Sequence, residues 1–176
     1  HHTRPVQIRH VGIIESTYPV RESGRFECSD PALDRLWDVC QRTLRLCMED
    51  VFTDCPLYEQ TLWVGDMRNE AMFGYTAYGA EDLARRCLKL AGQSLEHYPL
   101  VGCQVPSCWN CVLPAWSFLW GIAVWEHYFY TGDRAFLKET WSWVMKNLRA
   151  AEKMTDRRGL FSAPYWNLFD WAPQDM

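Results

Sequence analysis

The stretch Asp50-Val51-Phe52-Thr53-Asp54-Cys55-Pro56-Leu57-Tyr58-Glu59-Gln60-Thr61-Leu62-Trp63-Val64-Gly65-Asp66 decides how the rest of the chain is read. Apolar residues recur at helical spacing on both sides of it, so it reads as a loop joining two helices. Beyond the opening Asp50 it holds Asp54, Glu59 and Asp66, with the polar-tipped rings of Tyr58 and Trp63 interleaved and Pro56 and Gly65 shaping the backbone. Loops at one end of a rigid scaffold are where catalytic groups concentrate. Carboxylates beside aromatic rings suit glycosidic chemistry: a proton donor to a leaving oxygen needs a raised pKa, and an apolar wall supplies the desolvation that raises it. A plainer reading uses the same residues, with Asp54 bonded to its own loop, Asp66 as a helix cap and Glu59 as a solvated acid.

Outward from this loop the pattern is helical. Cys28-Ser29-Asp30-Pro31 opens a helix, with Ser29 or Asp30 as N-cap and Pro31 near the first helical position. Leu33, Leu36, Trp37, Cys40, Leu44 and Cys47 then recur at three- and four-residue steps, which predicts one buried face. Further helices are predicted from about Asp66 to Tyr78, Glu81 to His97, Leu113 to Tyr130 and Arg134 to Met154, the last with Phe136, Leu137, Trp141, Val144, Met145 and Leu148 inside. Thr131-Gly132-Asp133 reads as a glycine stop followed at once by a new N-cap. Residues 5–27 differ. Val6 to Ile14 alternates as a strand does, and Val20 to Phe26 reads as a weaker second strand. Helical hairpins of this kind build either a small bundle or about half of an (α/α)6 toroid, and periodicity does not choose between them.

Composition narrows the function. The chain has 176 residues, 48% of them hydrophobic and 23% charged, which fits one globular domain. A formal net charge of −4 offers no basic footprint, so nucleic acid is not an expected partner. No apolar run reaches the roughly 18 residues of a membrane span, so no membrane is expected either. No signal peptide is visible, which tilts the expectation toward the cytoplasm, and His1-His2 reads as a tag remnant or an arbitrary cut. Aromatic residues make up 15% of the chain, enough both to fill helix interfaces and to wall a sugar cleft. Of the eight cysteines, Cys40, Cys47 and Cys87 fall on apolar helical faces and read as core thiols. Cys103, Cys108 and Cys111 share a Pro-containing loop; the one C-x-x-C lacks a fourth ligand, so the reading is reduced thiols without zinc.

Several motifs together carry a resemblance: Phe26-Glu27-Cys28-Ser29-Asp30-Pro31, Thr43-Leu44, Cys47-Met48-Glu49-Asp50 and Asp54-Cys55-Pro56-x-x-Glu59-Gln60-x-x-Trp63-x-Gly65-Asp66. The order continues through Leu113-Pro114-Ala115-Trp116, Tyr130-Thr131-Gly132-Asp133 and Asp170-Trp171. In these the chain resembles the α-L-rhamnosidases of glycoside hydrolase family 78. The resemblance implies a mainly α fold: residues 28–176 as the N-terminal half of an (α/α)6 catalytic domain, and residues 1–27 as the end of a β-sandwich and linker. It implies inverting hydrolysis of terminal α-L-rhamnosyl residues, with Glu59 as general acid and no cofactor. Asp54 and Asp66 would hold sugar hydroxyls, and Trp63, Trp116, Asp170 and Trp171 would line the pocket. Many members carry Arg where this chain has Tyr58, which keeps a hydroxyl donor but loses the charge and the fork. Arg68 is a candidate replacement cation; the plainer reading is a solvent-facing helix residue.

The general base of such an enzyme is expected beyond residue 176, so the chain reads as a fragment whose partners are a rhamnose-containing glycoside and the rest of the barrel, with a homodimer as a further candidate. Two other readings stand beside the enzyme: a non-catalytic carbohydrate-binding remnant, and a six-hairpin hydrolase of another sugar.

Overall fold

The computed structural model describes residues 5–169. Five helices follow in order: α1 (Pro31–Leu46), α2 (Val64–Ala77), α3 (Glu81–Gln93), α4 (Pro114–Thr131) and α5 (Arg134–Lys153), with a single 3-10 turn, Ser94–Glu96, continuing α3. Capping chemistry sets the start of α1, the end of α4 and the start of α5. Asp30 caps α1 by accepting from the N–H of Ala32 at 2.9 Å, with Pro31 in the first turn. Gly132, at φ 68°, ends α4 in the left-handed region, and Asp133 caps α5 by accepting from the N–H of Phe136 at 2.9 Å.

α2 packs on α3 and α4, and α5 packs on α3 and α4. The shared core contains Phe52, Met67, Leu83, Leu88, Trp120 and Phe136, all fully buried. Packing is close at Gly92, where a Cβ would stand 2.5 Å from the Trp143 ring and 2.9 Å from that of Trp120. The buried Trp120 indole finds its partner in the Leu88 carbonyl at 2.9 Å. Between α2 and α4, Arg68 forks onto both oxygens of Glu126, at 2.9 and 2.5 Å. Arg68 is thus a structural strut rather than a solvent-facing residue or a cation for the loop acids. At the other end of the bundle, the Val101 N–H is shared between Ser117 Oγ (3.1 Å) and Asn147 Oδ1 (3.0 Å), which pins the loop after α3 to both α4 and α5. That loop carries part of the candidate site.

Three expectations need correction. Residues 5–27 form no strand: the chain is held at Tyr18, Ser23 and Gly24 by hydrogen bonds to the carbonyls of Met48 and Ala77, and alternation makes a strand only when a neighbour completes its ladder. The predicted face of α1 is fully buried only at its end, with Trp37 half-buried midway, stacked on Phe26. Leu44 and Cys47 are covered, whereas Leu33 and Leu36 are 47% and 55% exposed and Cys40 is exposed, because nothing described packs there. On α5 the same holds for Trp141 and Leu148, which are exposed while Phe136 is fully buried.

Ile122, Trp125 and Phe129 on α4 and Phe73 on α2 extend this uncovered apolar surface. Surfaces of this kind drive association. Expressed alone, residues 1–176 are expected to self-associate in analytical ultracentrifugation and to show weak amide protection in α1. A monodisperse monomer with strong protection through α1 would contradict this.

Candidate functional site

The loop between α1 and α2 is wound tightly by its own side chains. Asp54 closes it twice against Thr61, its N–H donating to the Thr61 carbonyl and its Oδ1 accepting from the Thr61 N–H, both at 3.1 Å. Inside this ring the Gln60 amide donates to the Pro56 carbonyl at 2.5 Å, the Gln60 N–H donates to the Tyr58 carbonyl, and the Cys55 thiol donates to the same carbonyl at 2.6 Å. The outcome is two consecutive non-glycine residues in the left-handed region, Glu59 at φ 44° and Gln60 at φ 50°. Each such residue costs about 1–3 kcal/mol and persists only where its surroundings enforce it.

The turn brings Glu59 back over Trp63, whose indole Nε1–H donates to Glu59 Oε2 at 2.5 Å. One carboxyl oxygen is thereby tethered, on a side chain that is otherwise exposed. Trp63 is itself held by its neighbours. Its ring meets those of Trp109 and Trp116 edge to face, at centroid distances of 5.9 and 5.4 Å. The flanking backbone is tied to the loop after α3 by Val64 N–H to the Cys103 carbonyl (2.9 Å) and Val105 N–H to the Leu62 carbonyl (3.2 Å). Gly65 is required in this packing, since a Cβ there would lie 2.6 Å from the Trp116 ring.

These residues wall a cleft of about 420 Å³, within the range of small-ligand sites. Asp54, Glu59, Trp63, Asp66 and Trp116 all line it, so five of the residues singled out from the sequence are brought together. Asp66 sits in the first turn of α2, where the helix dipole favours a carboxylate. Tyr58 is not brought in: it is 77% exposed and does not line the cleft. Asp170 and Trp171 lie outside the described residues.

Trp109, Trp166 and Asn69 also line the cleft and were not singled out from the sequence. Trp109 owes its place to a pairing that the sequence reading missed. The sulfurs of Cys103 and Cys111 are joined, with a Cα–Cα separation of 5.8 Å, and the loop they close presents Trp109 to Trp63. The expectation of free thiols is therefore corrected for these two residues. Eight residues of separation and a shared Pro-containing loop were the available signal, but the Cys108-x-x-Cys111 spacing drew attention to the wrong partner. Glu70 follows Asp66 by one helical turn. Burial above all, then the charges of Asp66 and Asp54, push its carboxyl up to about 9.

Similarity to known proteins gives the family. The family model described as the bacterial alpha-L-rhamnosidase 6 hairpin glycosidase domain matches residues 21–176. A solved family GH78 rhamnosidase of Bacillus sp. GL1 is 46% identical with a TM-score of 0.86, over 89% of this chain and 16% of that one. A rhamnosidase from Klebsiella oxytoca, solved with rhamnose bound, is 26% identical with a TM-score of 0.71, over 81% of this chain and 29% of that one. An α-L-rhamnosidase of Formosa agariphila is 27% identical over 135 residues, which is 68% of this chain and 14% of the relative. The chain belongs to the bacterial α-L-rhamnosidase six-hairpin glycosidase domain family, and it spans between 14% and 29% of the length of these relatives.

Alkylation of the unreduced, denatured protein is expected to label Cys28, Cys40, Cys47, Cys55, Cys87 and Cys108 and to leave Cys103 and Cys111 unlabelled until a reductant is added. Labelling of all eight without reductant would contradict the pairing.

Proposed function

We propose that this chain is the first half of the (α/α)6 catalytic domain of a glycoside hydrolase that removes terminal α-L-rhamnosyl residues with inversion. In this reading residues 1–27 are the end of a β-sandwich and its linker, whose strands would pair only against the rest of that sandwich, residues 28–176 are catalytic-domain hairpins, and the rest of the barrel is the partner that covers the exposed faces. The single observation that carries it is the placing of Glu59: an acid held by the Trp63 indole at the mouth of a cleft that also contains Asp54 and Asp66. Membership of the rhamnosidase domain family supports the choice of sugar.

Glu59 is the general acid, delivering a proton to the glycosidic oxygen as the bond to the anomeric carbon breaks. Because one carboxyl oxygen is bound to the indole, the acid meets the leaving group in a set orientation and little ordering is left for the reaction step. Asp54 and Asp66 accept hydrogen bonds from sugar hydroxyls, and Trp63 and Trp116 pack on the apolar face of the ring. Asp170 and Trp171 complete the proposed substrate contacts, and Tyr58, exposed at the loop tip outside the cleft, is left without one. Inversion needs a second carboxylate roughly 6.5–9.5 Å from the first to activate water on the opposite sugar face. That base belongs to the second half of the barrel, and no cofactor is called for.

A carbohydrate-binding module without turnover and a hydrolase of another sugar are separated from this reading by one experiment on the full-length protein. Glu59→Gln is expected to lower turnover on a natural rhamnoside with a poor leaving group by about 10²–10⁴-fold. An activated aryl α-L-rhamnoside, which needs less proton donation, is expected to lose far less. Equal small losses on both substrates would remove Glu59 from the acid role. An unmodified protein inactive on rhamnosides but active on another aryl glycoside would overturn the sugar.

A further inference from the structure

Glu70 is a buried titratable group for which the mechanism above has no use. It lies on α2 one turn after Asp66, and side chains four residues apart on a helix stand on one face with Cβ atoms about 5–6 Å apart. Its Oε2 is sealed from solvent and has no hydrogen-bond partner. A carboxylate in that state would be an acceptor-only group stripped of water beside two further acids. We propose that Glu70 is a positioning residue held as a neutral carboxylic acid behind Asp66 and Asp54, where its proton steadies the carboxylates that grip the sugar. This deepens the rhamnosidase reading and rests on it.

The surroundings favour the neutral form from every side. Asp66 on α2 and Asp54 in the catalytic loop both act to keep the proton on Glu70, after burial itself. Cys47 at the end of α1 and Cys87 on α3 are also coupled to it, and burial pushes these thiols up to about 11 and about 12, so neither brings a charge at neutral pH. Among the described residues, Arg68, two residues before Glu70 on α2, does not compensate, because it is committed to Glu126 of α4 through both carboxylate oxygens. A protonated Glu70 adds no third negative charge to the site. It also has an O–H to donate toward a neighbouring carboxylate, leaving the outer oxygens of that carboxylate to meet sugar hydroxyls. Ionisation of Glu70 as the pH rises through about 9 sets a third charge against the other two, and sugar binding weakens.

The test uses the full-length protein, its Glu70→Gln and Glu70→Leu variants, and an aryl α-L-rhamnoside. Gln keeps the shape, the neutrality and a donor; Leu keeps only bulk. Infrared difference spectra of parent minus Glu70→Gln at pH 7 are expected to contain the carbonyl stretch of a protonated carboxylic acid. Glu70→Leu is expected to raise KM about tenfold or more with kcat changed less than about threefold. Glu70→Gln is expected to recover most of that loss and to lack the rise in KM that the parent shows above pH 9. Absence of the acid band, or a Gln variant as impaired as the Leu variant, would overturn the proposal. So would a loss confined to kcat, or an alkaline rise in KM that survives in Glu70→Gln. If the parent turns over no rhamnoside, the rhamnosidase reading fails by itself, and the infrared band still decides the state of Glu70.

Discussion

Glu59 owes its position to a loop that the backbone would not adopt unaided. Two successive left-handed residues are imposed by the double closure of Asp54 on Thr61, and the strain is released if either end of that ring is cut. What locks the turned-back acid is one hydrogen bond, from the Trp63 indole to Glu59 Oε2. The rest of the local structure serves that indole. Trp109 and Trp116 brace its ring from two directions, the Cys103–Cys111 loop carries Trp109, and Gly65 leaves room for Trp116. Behind these, the Val101, Ser117 and Asn147 network fixes the loop after α3 to the helices, and Arg68 with Glu126 fixes α2 to α4. Packing thus runs without a break from the helical core to the acid, which is how a loop site attains the precision of a helix-borne one.

The helices could be read from the sequence because their signals are local. Asp30-Pro31 and Gly132-Asp133 mark ends by capping chemistry, and the apolar spacing between them needs no knowledge of distant residues. Much of the site could be read for the same reason: Asp54, Glu59, Trp63 and Asp66 lie within thirteen residues, so a single loop conformation gathers them. Trp109 and Trp166 could not, because they reach the cleft through tertiary contacts. Glu70 was hidden differently. In sequence it is an ordinary helix acid, and only burial behind two other carboxylates gives it a distinct chemistry.

The failed strand expectation and the exposed flanks of α1 and α5 have one physical origin. Alternation and helical apolar stripes state which face must be buried, never what buries it. Val6, Ile8 and Val11 are exposed in this chain, as are Leu33, Trp141 and Leu148, since no described element lies against them. The covered half of the structure is the half that supports the cleft, so the acid and its indoles keep their arrangement while the outer faces stay unpartnered.

The most direct measurement of the claim that the Trp63 indole sets the acid is the kinetics of Trp63→Phe in the full-length protein. Phe keeps an aromatic ring between Trp109 and Trp116 and removes the N–H donor together with the second ring of the indole. A hydrogen bond to a charged or charge-developing group contributes about 1.5–3 kcal/mol, so kcat on a rhamnoside with a poor leaving group should fall about ten- to hundredfold. KM should change by less than about threefold, because the ring still packs on the sugar. An unchanged kcat, or a loss carried wholly by KM, would contradict the account.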